Sequence, residues 1–176
     1  KAGVVAGDAD GTLFEVTQEV LDAAGLPAYE VSNHARPGAA CRHNLNIWRG
    51  GDYIGVGPGA HGRLGAGGAC DEVRNVPSPA AWLAAVEENG RAAAHRAPLK
   101  PAERAEELLM LGLRLTEGID GRRFERVSGL GLDAALDPAR LADLVESGDL
   151  ARDDAGLRTS VAGRRRLDAV IAYLLA

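Results

Sequence analysis

The apolar residues 53–56 read as a buried strand that runs straight into a cluster of glycines, Gly55, Gly57, Gly59 and Gly62, with Pro58 among them. Glycine tolerates positive φ and lets a backbone or a ligand approach closely. The spacing fits neither a dinucleotide fingerprint nor a phosphate loop: no Lys followed by Ser or Thr accompanies it, and no G-x-G-x-x-G opens a helix. A tight structural turn and a ligand loop both stay open as readings.

Upstream, Thr12 and Glu15 have the spacing of a capping box. Leu13, Val16, Val20, Leu21 and Ala24 then recur on one helical face, Gly25 suits a helix end, and Pro27 blocks continuation. Residues 28–31 read as a short strand and residues 32–50 as irregular. Helix, strand, long loop, strand and glycine loop together resemble the closing units of an α/β barrel, whose functional groups sit on loops after the strands.

Residues 63–79 read as a linker, and the composition then shifts to helix formers. One helix is expected over residues 80–91. A longer one starts with Pro101, a residue with no N–H to donate, buries Leu108, Leu109, Leu111 and Leu115, and stops near Gly118. Asp137 and Pro138 open a third, with Leu141, Leu144 and Val145 inward and Gly148 at its end. Residues 150–152 and 157–159 flank hairpin punctuation at residues 153–156. Thr159 or Ser160 caps a last helix carrying Leu167, Val170, Ile171 and Leu174 on one face. Helix, hairpin, helix is the outline of a winged-helix module.

The residues with most chemistry are His43, Asn44, Asn46 and Trp48. A neutral imidazole is a common iron or zinc ligand. An aromatic beside it can stack on a flat macrocycle, and Asn can orient either. The competing reading is a His bonded to backbone with Trp48 in the core. His34 and His61 also follow strands, but nothing in the spacing demands a three-histidine metal site. His95 reads as an exposed helix residue. Cys41 and Cys70 are 29 positions apart with no C-x-x-C pair, which fits free thiols in a cytoplasmic protein.

Several stretches resemble the oxygen-independent coproporphyrinogen III oxidase-like radical SAM family (HemN/HemW), in its heme-chaperone branch. Residues 29–38 are similar to its Y-E-I-S-N-x-A-R-P-G segment, residues 43–48 to H-N-x-x-Y-W, and residues 55–62 to G-I-G-P-G-A-H-G. Residues 110–120 look like the opening of its C-terminal domain, and residues 157–175 like its closing helix. The resemblance covers essentially the whole chain. It implies the end of a radical SAM partial TIM barrel over residues 1–66, incomplete by itself. A mainly α domain with a small winged-helix-like β-hairpin follows over residues 77–176. It further implies heme binding with His43 as iron ligand and Asn44 and Trp48 as neighbours. Asn46, Gly57, Gly59 and His61 would face a porphyrin and S-adenosylmethionine cleft. The chain departs from the pattern at Ile47, where the family has Tyr.

The family's C-x-x-x-C-x-x-C loop, which holds a [4Fe–4S] cluster that cleaves S-adenosylmethionine, is absent. Its thiolates are the cluster's ligands, so radical chemistry is expected only with the missing N-terminal radical SAM half. The alternative function is that of a true oxidase, decarboxylating coproporphyrinogen in porphyrin biosynthesis. Expected partners are heme or porphyrin, that missing half, a heme-accepting protein, and a second copy through an unpaired barrel edge.

Charge narrows the classes further. The net charge is −5, with 6 basic and 9 acidic residues over 1–76 and 14 and 16 over 77–176. Nucleic acid selects basic surfaces, so Arg164, Arg165 and Arg166 read as a solvated face. No apolar run reaches the ~20 residues that span a bilayer. The chain opens at Lys1 with neither Met nor a signal peptide, and a piece of a longer protein is expected.

Overall fold

The computed structural model describes residues 7–66 and 69–176; residues 1–6 of the expected barrel part and residues 67–68 of the expected linker lie outside the described residues. Helix α1 spans Gly7–Ala23. Thr12 and Glu15 therefore sit inside the helix and not at its start. Gly25, at φ 73°, ends it as expected, with the Leu26 amide donating to the Leu21 carbonyl at 2.8 Å. The apolar stripe is present, yet Leu13, Val16 and Val20 are exposed. Periodicity reports which face can be buried, and among the described residues nothing packs over this one.

Residues 28–31 form isolated bridges instead of a strand. Ala28 pairs with His34 and Glu30 with Leu115. Residues 53–56 are likewise reduced to one bridge, Tyr53 with Arg63, and Ile54 and Val56 are 75% and 86% exposed, so the expected buried strand is neither. Inside the stretch expected to be irregular, Arg42–Trp48 forms helix α2. No side chain caps it. Such a short helix depends on tertiary support, and α2 rests on a later helix through the Gly50 carbonyl, described below.

The expected linker is a sheet. Strands β1 (His61–Ala66) and β2 (Ala69–Asn75) pair antiparallel, and β2 pairs with β3 (Ala93–Pro98) on its other side. His95 lies on β3, exposed, 3.9 Å from the Glu72 carboxylate, and so is a strand residue. Helix α3 (Pro79–Asn89) joins β2 to β3, opening at a Ser78 cap and closing at Gly90.

The larger core belongs to residues 101–175. Helix α4 (Pro101–Gly112) begins with the expected proline, and Glu103 turns back to accept the Lys100 amide at 3.0 Å. Its inner face carries Ala105, Leu108 and Leu109, and the helix ends at Gly112, short of Gly118. Strand β4 (Ile119–Asp120), helix α5 (Gly121–Ser128) and helix α6 (Leu132–Ala135) follow. Helix α7 (Pro138–Glu146) is capped by Asp137, whose carboxylate accepts the amides of Ala139 and Arg140 at 2.9 and 3.1 Å. Asp137→Ala is expected to lower stability by about 1 kcal/mol in urea unfolding; an unchanged midpoint would show that the cap contributes nothing.

The hairpin of β5 (Leu150–Asp153) and β6 (Gly156–Thr159) stands where it was expected, and β4 adds a third strand in the order β4-β6-β5. Ser160 caps helix α8 (Val161–Arg165), accepting the Gly163 amide at 2.9 Å. The chain breaks at Arg166 before helix α9 (Leu167–Leu175), so the single last helix expected is two. Leu109, Leu113, Phe124, Leu144, Leu157, Val170 and Leu174 meet in the core.

Candidate functional site

The site is built around a fully buried carboxylate. Glu30 accepts the Ser32 amide and the Asn33 side-chain amide through Oε1, each at 2.7 Å, and the Arg114 guanidinium through Oε2 at 3.2 and 3.3 Å. Ionised groups survive burial only when paired and hydrogen-bonded, and Glu30 has both. Two further links fix the same pair of segments. The Val31 amide donates to the Arg114 carbonyl, and the Thr116 amide and hydroxyl donate to the Tyr29 carbonyl.

Arg114 lies over the Trp48 ring, 4.7 Å from its centroid. Trp48 is thereby fixed by a cation–π contact. Its indole Nε1 is buried with no hydrogen-bond partner among the described residues. Asn44, one turn earlier on the same face of α2, donates to the Tyr29 hydroxyl at 3.1 Å. Asn44 and Trp48 thus anchor α2 to the fold.

His43 and Asn46 occupy another face. Five residues along a helix turn the chain by about 140° net, which separates His43 from Trp48. His43 is exposed, and no hydrogen bond engages its ring among the described residues. Asn46 donates to the Asp52 carbonyl at 2.8 Å, fixing the turn after α2. His43, Asn46, Arg42, Leu45, Arg49 and Arg123 line an open cleft of about 620 Å³.

The glycine loop lies apart from that cleft. Gly57 and Gly59 have φ of 100° and 67°, which demand glycine. Asn75 donates to the carbonyls of Gly55 and Gly57 at 3.2 and 2.9 Å, tying the loop to β2. A Cβ on Gly55 would collide with the His61 carbonyl. His61 is the exposed first residue of β1, and His34 faces Gln18 at 3.3 Å. Among the described residues no group of three or more His, Cys, Asp or Glu is placed to hold a metal ion.

The two cysteines are free, Cys41 exposed and Cys70 buried. Burial pushes the Cys70 thiol up, away from reactive thiolate. Two of the three expected solvated arginines are spent on ion pairs, Arg165 with Glu15 at 2.6 Å and Arg166 with Asp149 at 2.7 Å.

Sequence reasoning missed Glu30, Arg114, Arg49 and Arg123. Glu30 and Arg114 do stand inside the stretches that carry the family resemblance, and a lone charge in an apolar segment was the available signal. Arg49 and Arg123 gave none. Arg49 is bound to Glu117 by two bonds of 2.7 and 2.9 Å, and that carboxylate raises its guanidinium pKa.

A family model described as the HemN C-terminal domain matches residues 99–166. The chain is 36% identical to radical S-adenosyl methionine domain-containing protein 1, mitochondrial, of Danio rerio, over 99% of this chain and 41% of that protein. It is 33% identical to the heme chaperone HemW of Bacillus subtilis (strain 168), over 79% of this chain and 35% of that protein. The solved structure of coproporphyrinogen III oxidase (HemN) from Escherichia coli, described as a radical SAM enzyme, superposes with a TM-score of 0.65 at 19% identity, covering 90% of this chain and 39% of that one. That last likeness is one of fold. The chain spans about two fifths of the length of these relatives.

Proposed function

The chain belongs to the HemN/HemW-like radical SAM family and corresponds to the C-terminal part of its longer members, and from this we propose that it binds heme through His43 and helps line the S-adenosylmethionine and porphyrin cleft of a heme chaperone-like protein. The carrying observation is the state of His43: exposed, unbonded, and on the rim of a cleft large enough for part of a macrocycle. A neutral imidazole with both ring nitrogens uncommitted is an apt axial ligand for heme iron. Trp48 serves here by holding α2 in place beneath Arg114, and Asn46 by fixing the turn beside His43. Gly57, Gly59 and His61 belong to the S-adenosylmethionine side of the cleft in this reading.

Two cysteines cannot supply three cluster thiolates. The [4Fe–4S] cluster, and with it any radical step, is therefore assigned to the portion of the longer proteins that this chain does not match. In this reading residues 1–66 close the radical SAM barrel and residues 77–176 form the C-terminal domain, with the β5–β6 hairpin as its wing. The exposed faces of α1 and of residues 54–56 are then covered by the rest of the barrel or by a second copy. The setting is the cytoplasm, and the cargo passes to a heme-accepting protein.

Titration with ferric heme, followed at the Soret band, tests this. Since removing even an outer-shell partner of a ligating His costs about 10–100-fold in affinity, His43→Ala is expected to lose at least that. Saturable binding that ignores the substitution would refute the assignment of His43. Turnover of coproporphyrinogen by a longer protein containing this sequence would favour the oxidase alternative.

A further inference from the structure

The cleft beside His43 has an uneven charge. Its lining holds three guanidinium groups, Arg42, Arg49 and Arg123, and no carboxylate, in a chain whose net charge is −5. The three arginines are not equivalent. Arg49 is committed to Glu117. Its backbone carbonyl in turn accepts Arg123 Nε–H at 2.9 Å, which aims the Arg123 side chain. The two Arg123 Nη groups make no hydrogen bond or ion pair among the described residues, and neither does Arg42. The Asp120 carboxylate nearby is engaged by the Arg123 backbone amide at 2.6 Å.

Arg123 also borders two adjoining hollows of about 270 and 210 Å³, each shared with Arg126. Trp48 lines the first and Arg104 the second. Trp48 Nε1 and Arg104 Nε are the buried side-chain polar atoms without a partner among the described residues, and both are donors. Arg104 is only 3% exposed, its other nitrogens being spent on Glu107 and the Gly50 carbonyl. Acidic groups at the edges are few: Asp52 in the smaller hollow, and Glu117 and Asp120 in the larger. Among the described residues, the two buried donors and the Arg123 Nη groups meet none of these oxygens.

We propose that Arg123, seconded by Arg42, grips the carboxylate arms of the ligand whose iron His43 meets, making this cleft a carboxylate-recognition subsite for a porphyrin's propionates. The inference rests on the heme reading and deepens it. A guanidinium fork suits a carboxylate because its donors are parallel and planar. Fixing Arg123 through Nε leaves the Nη donors oriented before the ligand arrives, so less side-chain freedom is lost on binding. His43 supplies a bond to iron, and Arg123 supplies charge and orientation at the porphyrin edge.

Three probes separate these roles on the 176-residue chain: ferric heme, heme dimethyl ester with both carboxylates masked, and iron-free protoporphyrin IX. One lost charge-assisted hydrogen bond corresponds to about a tenfold loss in affinity. Heme is therefore expected to bind about tenfold tighter than its ester. Arg123→Gln should weaken heme and protoporphyrin IX by a similar factor and leave the ester unchanged. Arg42→Gln, on the exposed first residue of α2, should act in the same direction and guards against a folding defect in the Arg123 variant. Equal binding of heme and ester, or an Arg123→Gln loss shared by the ester, overturns the carboxylate subsite. An ester discrimination that persists while His43→Ala changes nothing overturns only the iron-ligand reading. No binding of any probe overturns both.

Discussion

Glu30→Ala is expected to lower the stability of the chain by about 3 kcal/mol, because it removes one partner of a buried charge pair and leaves the other. Glu30 is 0% exposed and satisfies four donors: the Ser32 amide, the Asn33 side-chain amide and two nitrogens of Arg114. Breaking a buried pair costs roughly 3–5 kcal/mol. The lower end applies because the Arg114 side chain is 29% exposed and regains some water. For a chain of this size each kcal/mol moves the melting temperature by about 2–4 °C, so a fall near 10 °C is expected. A local readout should accompany it. Arg114 lies on Trp48, so its release should alter the indole fluorescence. Glu30→Gln keeps an acceptor for Ser32 and should cost less. A loss below about 1 kcal/mol with unchanged Trp48 emission would mean that this pair does not organise the site.

What the sequence disclosed was local. Pro101, the pair Asp137 and Pro138, Ser160 and Gly25 each act within one helical turn, and each marks a boundary seen in the structure. The features that went unread depend on distant partners. Helix α2 has no cap, and residues 42–48 carry no apolar period that singles out a helix; it stands because Arg104, 54 positions away, holds the Gly50 carbonyl. The β1-β2-β3 sheet was read as linker because its residues are mostly small or charged and nearly all exposed or half-exposed, so no clean alternation marks a buried face. Residues 53–56 show the converse error: apolar side chains predict burial only where another layer exists to cover them.

The candidate site follows the same rule. His43, Asn44, Asn46 and Trp48 were legible as a set, since their types carry chemistry. Their division of labour was not, because a loop reading gives no faces. Once α2 is helical, Asn44 and Trp48 turn inward as anchors, while His43 turns outward to the cleft. Arg123 and Arg114 reach their partners Arg49 and Glu30 across 74 and 84 positions. Their roles are set by the fold and by no local pattern.

Leu109→Ala is expected to cost about 3–5 kcal/mol, the range for a Leu deletion in a close-packed core that collapses only partly. Leu109 is 0% exposed on α4, at the centre of a cluster that includes Leu113, Phe124, Leu144, Leu157 and Leu174. The same helix meets the site through different residues: Arg104 binds the Gly50 carbonyl, and a Cβ on Gly50 would strike Leu108. Leu109 belongs to the core side of α4, so its truncation should lower the urea midpoint strongly while the still-folded chain keeps its affinity for ferric heme. Arg104→Met should instead lower both, because it frees the turn that follows α2 and breaks a buried ion pair, at a cost of about 3 kcal/mol. It leaves the Gly50 carbonyl without its donor and Glu107 with Arg63 alone, at 2.7 Å. A Leu109→Ala variant that loses heme affinity in proportion to its stability would mean that core and site unfold as one unit. Separate effects would establish α4 as a spine whose two faces carry independent tasks.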